Sequence, residues 1–139
     1  MIIINIMRYL CFDYGLKRIG VALSGNTYIA FPAGVIINRS SNAVLKDIVK
    51  KVKKERINVI VVGLPIWPGG KETTQTTITR RFIALLKKNV SIPIETENEM
   101  LTSRIAIASG MKDDHIDASS AAIILQSYLD KKLSKIKKT

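Results

Sequence analysis

The chain has 139 residues, 47% of them hydrophobic and 24% charged, with one cysteine and one histidine. These values predict a single domain with a full core; they exclude a disulfide framework and a His/Cys zinc site, and no stretch approaches the ~18 apolar residues of a membrane-spanning helix. The balance of 22 Lys+Arg against 11 Asp+Glu, a net +11, points to a polyanionic partner. Nucleic acid is the first choice, an anionic membrane surface the second, and a merely basic exterior the alternative to both.

The opening MIIINIMRYL is apolar and short and lacks a basic first region. It predicts an extended strand running into RYLCFD, not a signal peptide, and Met7 is an alternative start. Cys11 lies inside that run and reads as a buried small hydrophobe, in keeping with a reducing cytoplasm. RYLCFD and RIGVALS, separated by YGLK, predict a hairpin with a glycine turn. TYIAFPAGVII (27–37) supplies a third strand, which Pro32 assigns to an edge or makes irregular. From Ser41 the period changes, and Val44, Leu45, Ile48, Val49 and Val52 mark one face of a helix. NVIVVGLP is a continuous apolar run stopped by glycine and proline, suited to the centre of a sheet. GLPIWPGGKETT then reads as a loop, followed by a helix facing inward through Ile78, Phe82, Leu85 and Leu86. VSIPIETE predicts a strand with Ile92 and Ile94 on one face. TSRIAIASG is helical with a stop at Gly110, and the last helix runs from about Asp117 to Leu133, with Ala121, Leu125, Tyr128 and Leu129 inward. The expected order is β-β-β-α-β-α-β-α-α, a mixed sheet with helices packed on it. DKKLSKIKK is a basic tail that places cations at a helix end.

Asp13 is the conspicuous acid, because it ends an apolar strand and is followed at once by glycine, Lys17 and Arg18. Either those cations or a metal ion would meet its charge. Glu95, Glu97 and Glu99 alternate with period two, so all three point to one side of a continuing strand. Asp117 divides evenly between helix N-cap and ligand. If Asp13, one of the three glutamates and Asp117 converge, their mutual repulsion is best relieved by hard divalent cations. Two such ions can activate water and stabilise the leaving oxygen of a phosphodiester.

DYGLKRIGVALS, VVGLPIWPGGKET, ENEMLTS and IDASSAAIILQSYLD, in that order from about Met7 to Asp130, resemble the YqgF family of RNase H-like proteins, known as Holliday-junction resolvases and as nucleases maturing the 5′ end of pre-16S ribosomal RNA. The resemblance implies an α/β RNase H-like single domain with a mixed five-stranded sheet flanked by helices. In that scheme residues 1–6 are a strand extension and 131–139 a basic tail. It also implies a catalytic centre of Asp13, Glu99 and Asp117 holding Mg²⁺ or Mn²⁺, with Lys17 and Arg18 placed for the phosphate. Asn98 and Met100 stand where the family carries an aspartate and an arginine. Trp67 either stacks on an unpaired base or covers its loop, and Lys71 beside it is a further candidate phosphate contact. The substrate so implied is a ribosomal RNA precursor or branched DNA, with no membrane partner. A symmetric junction would suit a homodimer, although no dimer seam is legible. The remaining alternative is a nucleic-acid-binding module with weakened chemistry.

Overall fold

The computed structural model describes residues 7–25, 27–100 and 113–137, with side chains in the last segment described for 118–136. Two short strands, β1 (Tyr9–Tyr14) and β2 (Arg18–Ser24), form the expected antiparallel hairpin. Its turn needs glycine for space: a Cβ on Gly15 would lie 2.4 Å from the backbone oxygen of Arg18, closer than any side chain tolerates. β3 (Ala30–Ile37) pairs antiparallel with β2, and its register shifts between Gly20 and Ala22, opposite Val35 and Pro32. Pro32, which cannot donate to a ladder, thus lies on an edge strand beside an irregularity.

α1 (Ser41–Lys54) follows, with the Ser40 hydroxyl accepting from the Ala43 amide at 3.2 Å as an N-cap. β4 (Val59–Leu64) is buried throughout and runs parallel to β1. Beyond it the segment expected to be a plain loop contains a small hairpin of β5 (Ile66–Trp67) and β6 (Lys71–Glu72), closed by Pro68–Gly70. Two-residue strands leave no periodicity to read. The signal available was the glycine pair, since Gly69 and Gly70 have φ of 84° and 82°, which glycine alone adopts without strain. α2 (Thr74–Asn89) starts where the Thr76 hydroxyl accepts from the Thr73 amide at 2.9 Å and donates to the Pro65 carbonyl at 2.5 Å. β7 (Ile94–Asn98) pairs parallel with β4; Ile92 of the expected strand precedes it.

The last helix, α3 (Asp113–Lys137), begins four residues before the expected start. Asp117 therefore lies inside the helix and is not its N-cap. The residues read as a basic tail continue the same helix to Lys137. The expected helix at TSRIAIASG and its stop at Gly110, the strand extension at 1–6, and the side chain of Asp117 lie outside the described residues.

The strand order is β3-β2-β1-β4-β7, and the sheet is covered on both faces. Leu10, Phe12, Ile60 and Val62 pack under α1 and α2 with Ile48, Phe82 and Leu86. On the other face Cys11, Val59 and Val61 pack against Ala121, Ile124, Leu125 and Leu129 of α3. Burial from two sides is why β1 and β4 read as continuous apolar runs, not alternating ones. No helix among the described residues is long and apolar enough to cross a membrane.

A candidate carboxylate site at the end of the sheet

Alternation along β1 puts Tyr9, Cys11 and Asp13 on the face that α3 covers, and Leu10 and Phe12 on the other. The same rule puts Gly63 of β4 and the three glutamates of β7 on the α3 side. The strand neighbour of Asp13 is Gly20, and that of Glu97 is Gly63. Asp13 is thus flanked on both sides by strands that carry a glycine nearby on that face. Space is left there for carboxyl groups.

Glu99 fills it. Its amide donates to the Leu64 carbonyl at 3.4 Å, continuing the β4–β7 ladder one step past β7. Its side chain is 7% exposed and shares a hydrogen bond with Asp13. Burial first, then that hydrogen bond and the Asp13 charge, push the Glu99 carboxyl up to about 10. Two neighbouring carboxylates disfavour double ionisation, so the protonated form of Glu99 is favoured beside the Asp13 charge.

The other two glutamates share the face but not the site. Glu95 accepts from the Tyr128 hydroxyl, and Glu97 accepts from Ser127 Oγ at 2.6 Å and Lys131 Nζ at 2.8 Å. Both are engaged by α3, which leaves Glu99 as the member of the trio that meets Asp13. Cys11, below the pair, has its thiol pushed well up by burial first and then by Asp13, Glu99 and Glu97. It is a core residue, as its sequence context predicts.

The hairpin carrying Asp13 is braced from two sides. Asn38 donates through Nδ2 to the Gly15 carbonyl at 2.9 Å, and through its amide to the Lys17 carbonyl at 3.0 Å. Gln75, in the first turn of α2, donates to the Tyr14 carbonyl at 3.1 Å. Sequence reading missed both braces, because a lone amide side chain has no periodic signature. Lys17 is exposed in the turn, and Arg18 opens β2 on the Asp13 face. Trp67 is 39% exposed and faces Lys71 across the β5–β6 pair, which leaves part of its ring open to solvent. That hairpin leaves from the end of β4, which places it at the same end of the sheet as the carboxylates.

Asn98 gives a physical reason for one departure from the family pattern. Its Nδ2 donates to the Ile66 carbonyl at 3.1 Å and its Oδ1 accepts from the Met100 amide at 3.0 Å. One side chain thereby ties β7 to the β5–β6 hairpin and shapes the turn that carries Glu99. An aspartate could not make the first of these bonds. Asn98 also lies on the face opposite Glu97 and Glu99, so an amide there removes no oxygen from the carboxylate pair.

Gly63 is the functional position that pattern reading overlooked, although VVGLP displays it. A Cβ there would lie 2.7 Å from Ile124 Cδ1 and 3.2 Å from Glu99 Oε2. Gly63→Ala is expected to cost about 1–3 kcal/mol in stability through overpacking and, by displacing Glu99, roughly 10–100-fold in turnover. Thermal melts and steady-state kinetics on the variant check this. Unchanged kcat would show that Glu99 need not sit where Gly63 permits.

An all-oxygen pair suits Mg²⁺ or Mn²⁺, which bind through one or two carboxylates and complete their shell with water and phosphate oxygens. Burial and the neighbouring Asp13 charge favour the protonated form of Glu99, and a cation bound between the two groups would take the place of that proton. Among the described residues no group of three His, Cys, Asp or Glu side chains forms a cage, so any cation held there completes its coordination from other atoms.

The model of the family described as "RuvX: Holliday junction resolvase" matches residues 7–131. A protein of Rickettsia bellii (strain OSU 85-389) named "Putative pre-16S rRNA nuclease" is 32% identical over 127 residues, covering 85% of this chain and 82% of its own. A protein of the same name from Paraburkholderia xenovorans (strain LB400) is 36% identical over 126 residues, covering 87% and 86%. Among solved structures, Thermus thermophilus RuvC in complex with a Holliday junction substrate superposes with a TM-score of 0.60 at 11% identity, covering 91% of this chain and 96% of that one. Fowlpox virus resolvase with its junction DNA gives 0.57 at 12%, covering 91% and 99%. At such identities these two establish the fold alone.

Proposed function

This chain belongs to the RuvX family, and from that premise we propose that it is a metal-dependent nuclease that hydrolyses phosphodiester bonds in structured nucleic acid, with the 5′ end of pre-16S ribosomal RNA as its substrate. The observation that carries the reading is the adjacency of the Asp13 and buried Glu99 carboxyl groups at the end of the sheet where the Lys17–Arg18 turn and the Trp67 hairpin also lie. Asp117 is proposed as the third carboxylate on the family pattern.

In this reading Glu99 gives up its proton and, together with Asp13, holds Mg²⁺ or Mn²⁺. Bound there, such ions supply an activated water and neutralise charge on the phosphodiester. The chain's own residues do the rest. Gly63 and Gly20 keep the space beside Asp13 clear, and Asn98 holds the turn that aims Glu99. Lys17 and Arg18 take the phosphate as it enters, which fixes register without reading sequence. Trp67 stacks on an unpaired base, an interaction worth ~1–3 kcal/mol, and Lys71 contacts its phosphate.

A second reading, cleavage of four-way DNA junctions, is favoured by the family's description and by the fold it shares with RuvC. One experiment separates the two. Labelled pre-16S leader RNA and a DNA four-way junction are offered to the protein with Mg²⁺ and with Mn²⁺, beside Trp67→Ala and Lys17→Gln. The expected result is cleavage of the RNA leader, with KM raised and kcat nearly unchanged in both variants. Cutting confined to the junction would transfer the assignment to DNA recombination. Binding without product under either metal would reduce the chain to a binding module.

A further inference from the structure

Among the described residues, six lysines lie far from the Asp13–Glu99 pair. β1, β4 and β7 all finish at the carboxylate end, so the helices that connect or follow them begin there and end at the opposite pole. Contacts at that pole confirm the arrangement. The Asn58 amide, after α1, donates to the Arg8 carbonyl at 2.8 Å, and the Ile60 amide donates to the Pro93 carbonyl, after α2, at 3.0 Å. The rings of Tyr9, opening β1, and Tyr128 of α3 meet at 5.7 Å.

Each helix carries lysines near its end: Lys53 and Lys54 in the last turn of α1, Lys87 and Lys88 in the last turn of α2, and Lys132 and Lys135 toward the end of α3. All but the partly covered Lys132 are exposed. Among the described residues none of the six has a carboxylate partner, since the nearby acids are already engaged. Glu55 is held by Arg8 at 3.2 Å, Glu97 by Lys131 at 2.8 Å, and Glu95 by the Tyr128 hydroxyl. On the β7 side Lys132 and Lys135 line a cleft of about 300 Å³ with Glu95, Thr96 and Tyr128.

A lysine in the last turn of a helix is ordinarily explained by the helix dipole. The magnitudes do not allow that here. Three C-termini present roughly −0.5 charge each, about −1.5 together, against six ammonium groups. A surplus of roughly four positive charges is left facing solvent at one pole.

We propose that this pole is a second, non-catalytic site for nucleic acid, which holds the phosphate backbone of the substrate beyond the bond being cut. The proposal rests on the nuclease reading for the identity of its polyanion. Twelve helical steps from Ser41 to Lys53 and fourteen from Thr74 to Lys88, at ~1.5 Å each, put it about 20 Å from the carboxylate end, the rise of about six base pairs along one strand. A long folded RNA can touch both ends of the sheet, and a shorter fragment cannot.

The test is a quadruple variant, Lys53→Gln, Lys54→Gln, Lys87→Gln and Lys88→Gln, with Lys132→Gln/Lys135→Gln as an independent second variant of the pole. Binding of a long leader RNA is measured in EDTA across salt concentrations, and cleavage of an oligonucleotide shorter than about six base pairs is measured with Mg²⁺. The expected result is at least tenfold weaker binding of the long RNA and a log–log salt slope smaller by about 2–3, three or four lost phosphate contacts at roughly 0.7–0.9 each. Cleavage of the short fragment and the melting temperature stay at parental values. Unchanged affinity and slope on the long RNA in both variants would overturn the site. So would an equal loss on the short fragment, or loss of binding to phosphatidylglycerol vesicles with RNA affinity intact. Because binding is read without cleavage, weakened binding in a chain that proved unable to cut would still support the pole and count against the nuclease reading alone.

Discussion

Asp13→Asn is expected to lower cleavage by roughly a thousandfold or more while leaving the fold intact and the melting temperature equal to or above that of the parent. The two halves of this result have one cause. Asp13 and Glu99 share a hydrogen bond in a site where Glu99 is 7% exposed, and two charges so close are tolerated only with a proton or a cation between them. An asparagine removes the Asp13 charge and can donate to Glu99, so the cation-free protein keeps its hydrogen bond and no longer has to hold a proton on Glu99 against a neighbouring carboxylate. The same change removes an oxygen ligand from the proposed ion site. Lewis-acid stabilisation of several kcal/mol at 1.36 kcal/mol per decade gives the stated factor. Glu99→Gln should behave alike, and the double variant should be little worse than either single one, because the two carboxylates act as a unit. Single-turnover cleavage of leader RNA with Mg²⁺ and a thermal melt in EDTA measure both halves. Turnover within tenfold of the parent, at controlled purity, would remove Asp13 from the chemistry.

The second large effect is one of pH. Glu99 titrates near 4.5 when unperturbed and is raised to about 10 in the fold. Between those values the folded chain holds a proton that the unfolded chain has released. The contribution of this group to stability is therefore fully present below the lower value and is lost as pH climbs toward the upper one, the reverse of a carboxylate in a salt bridge. A divalent ion must displace that proton, so its affinity rises with pH by up to about tenfold per unit. In EDTA the melting temperature should fall between about pH 6 and about pH 9 more steeply for the parent than for Glu99→Gln. The rise in melting temperature on adding Mg²⁺ or Mn²⁺ should grow over the same interval and vanish in the variant. A metal-induced rise that is independent of pH, or that survives Glu99→Gln, would place the ion elsewhere.

The core and strand order were open to reading because burial leaves marks in sequence. β1 and β4 are covered on both faces and are written as unbroken apolar runs, and Val44, Leu45 and Ile48 repeat at helical spacing and form the buried face of α1. The face that carries the acids was legible for a related reason, while the choice of Glu99 over Glu95 and Glu97 came from the family resemblance alone. An acid ending an apolar strand, and glutamates at period two, can be placed on a face without coordinates. Contacts between unlike elements were not legible. Asn38, Gln75 and Asn98 each clamp a backbone carbonyl far away in sequence, and nothing near them in the chain names that carbonyl. The start of α3 was misplaced because Asp117 is a good cap residue and so are Asp113 and Asp114. All three aspartates lie within the helix, which is already under way at Asp113.

Asp13 stands on the first strand of the sheet and Glu99 just past the outermost parallel one. Contacts between segments so far apart in the chain close late, because loop-closure entropy must be overcome before they form. Until β7 lies down against β4, the end of the sheet holds only half of its acid pair. Most of the cationic helical surface has already been made by then. If the lysine pole holds RNA as proposed, a nascent molecule can cling to it before it is able to damage any, and competence to cut waits for the final strand and for α3, which carries Asp117.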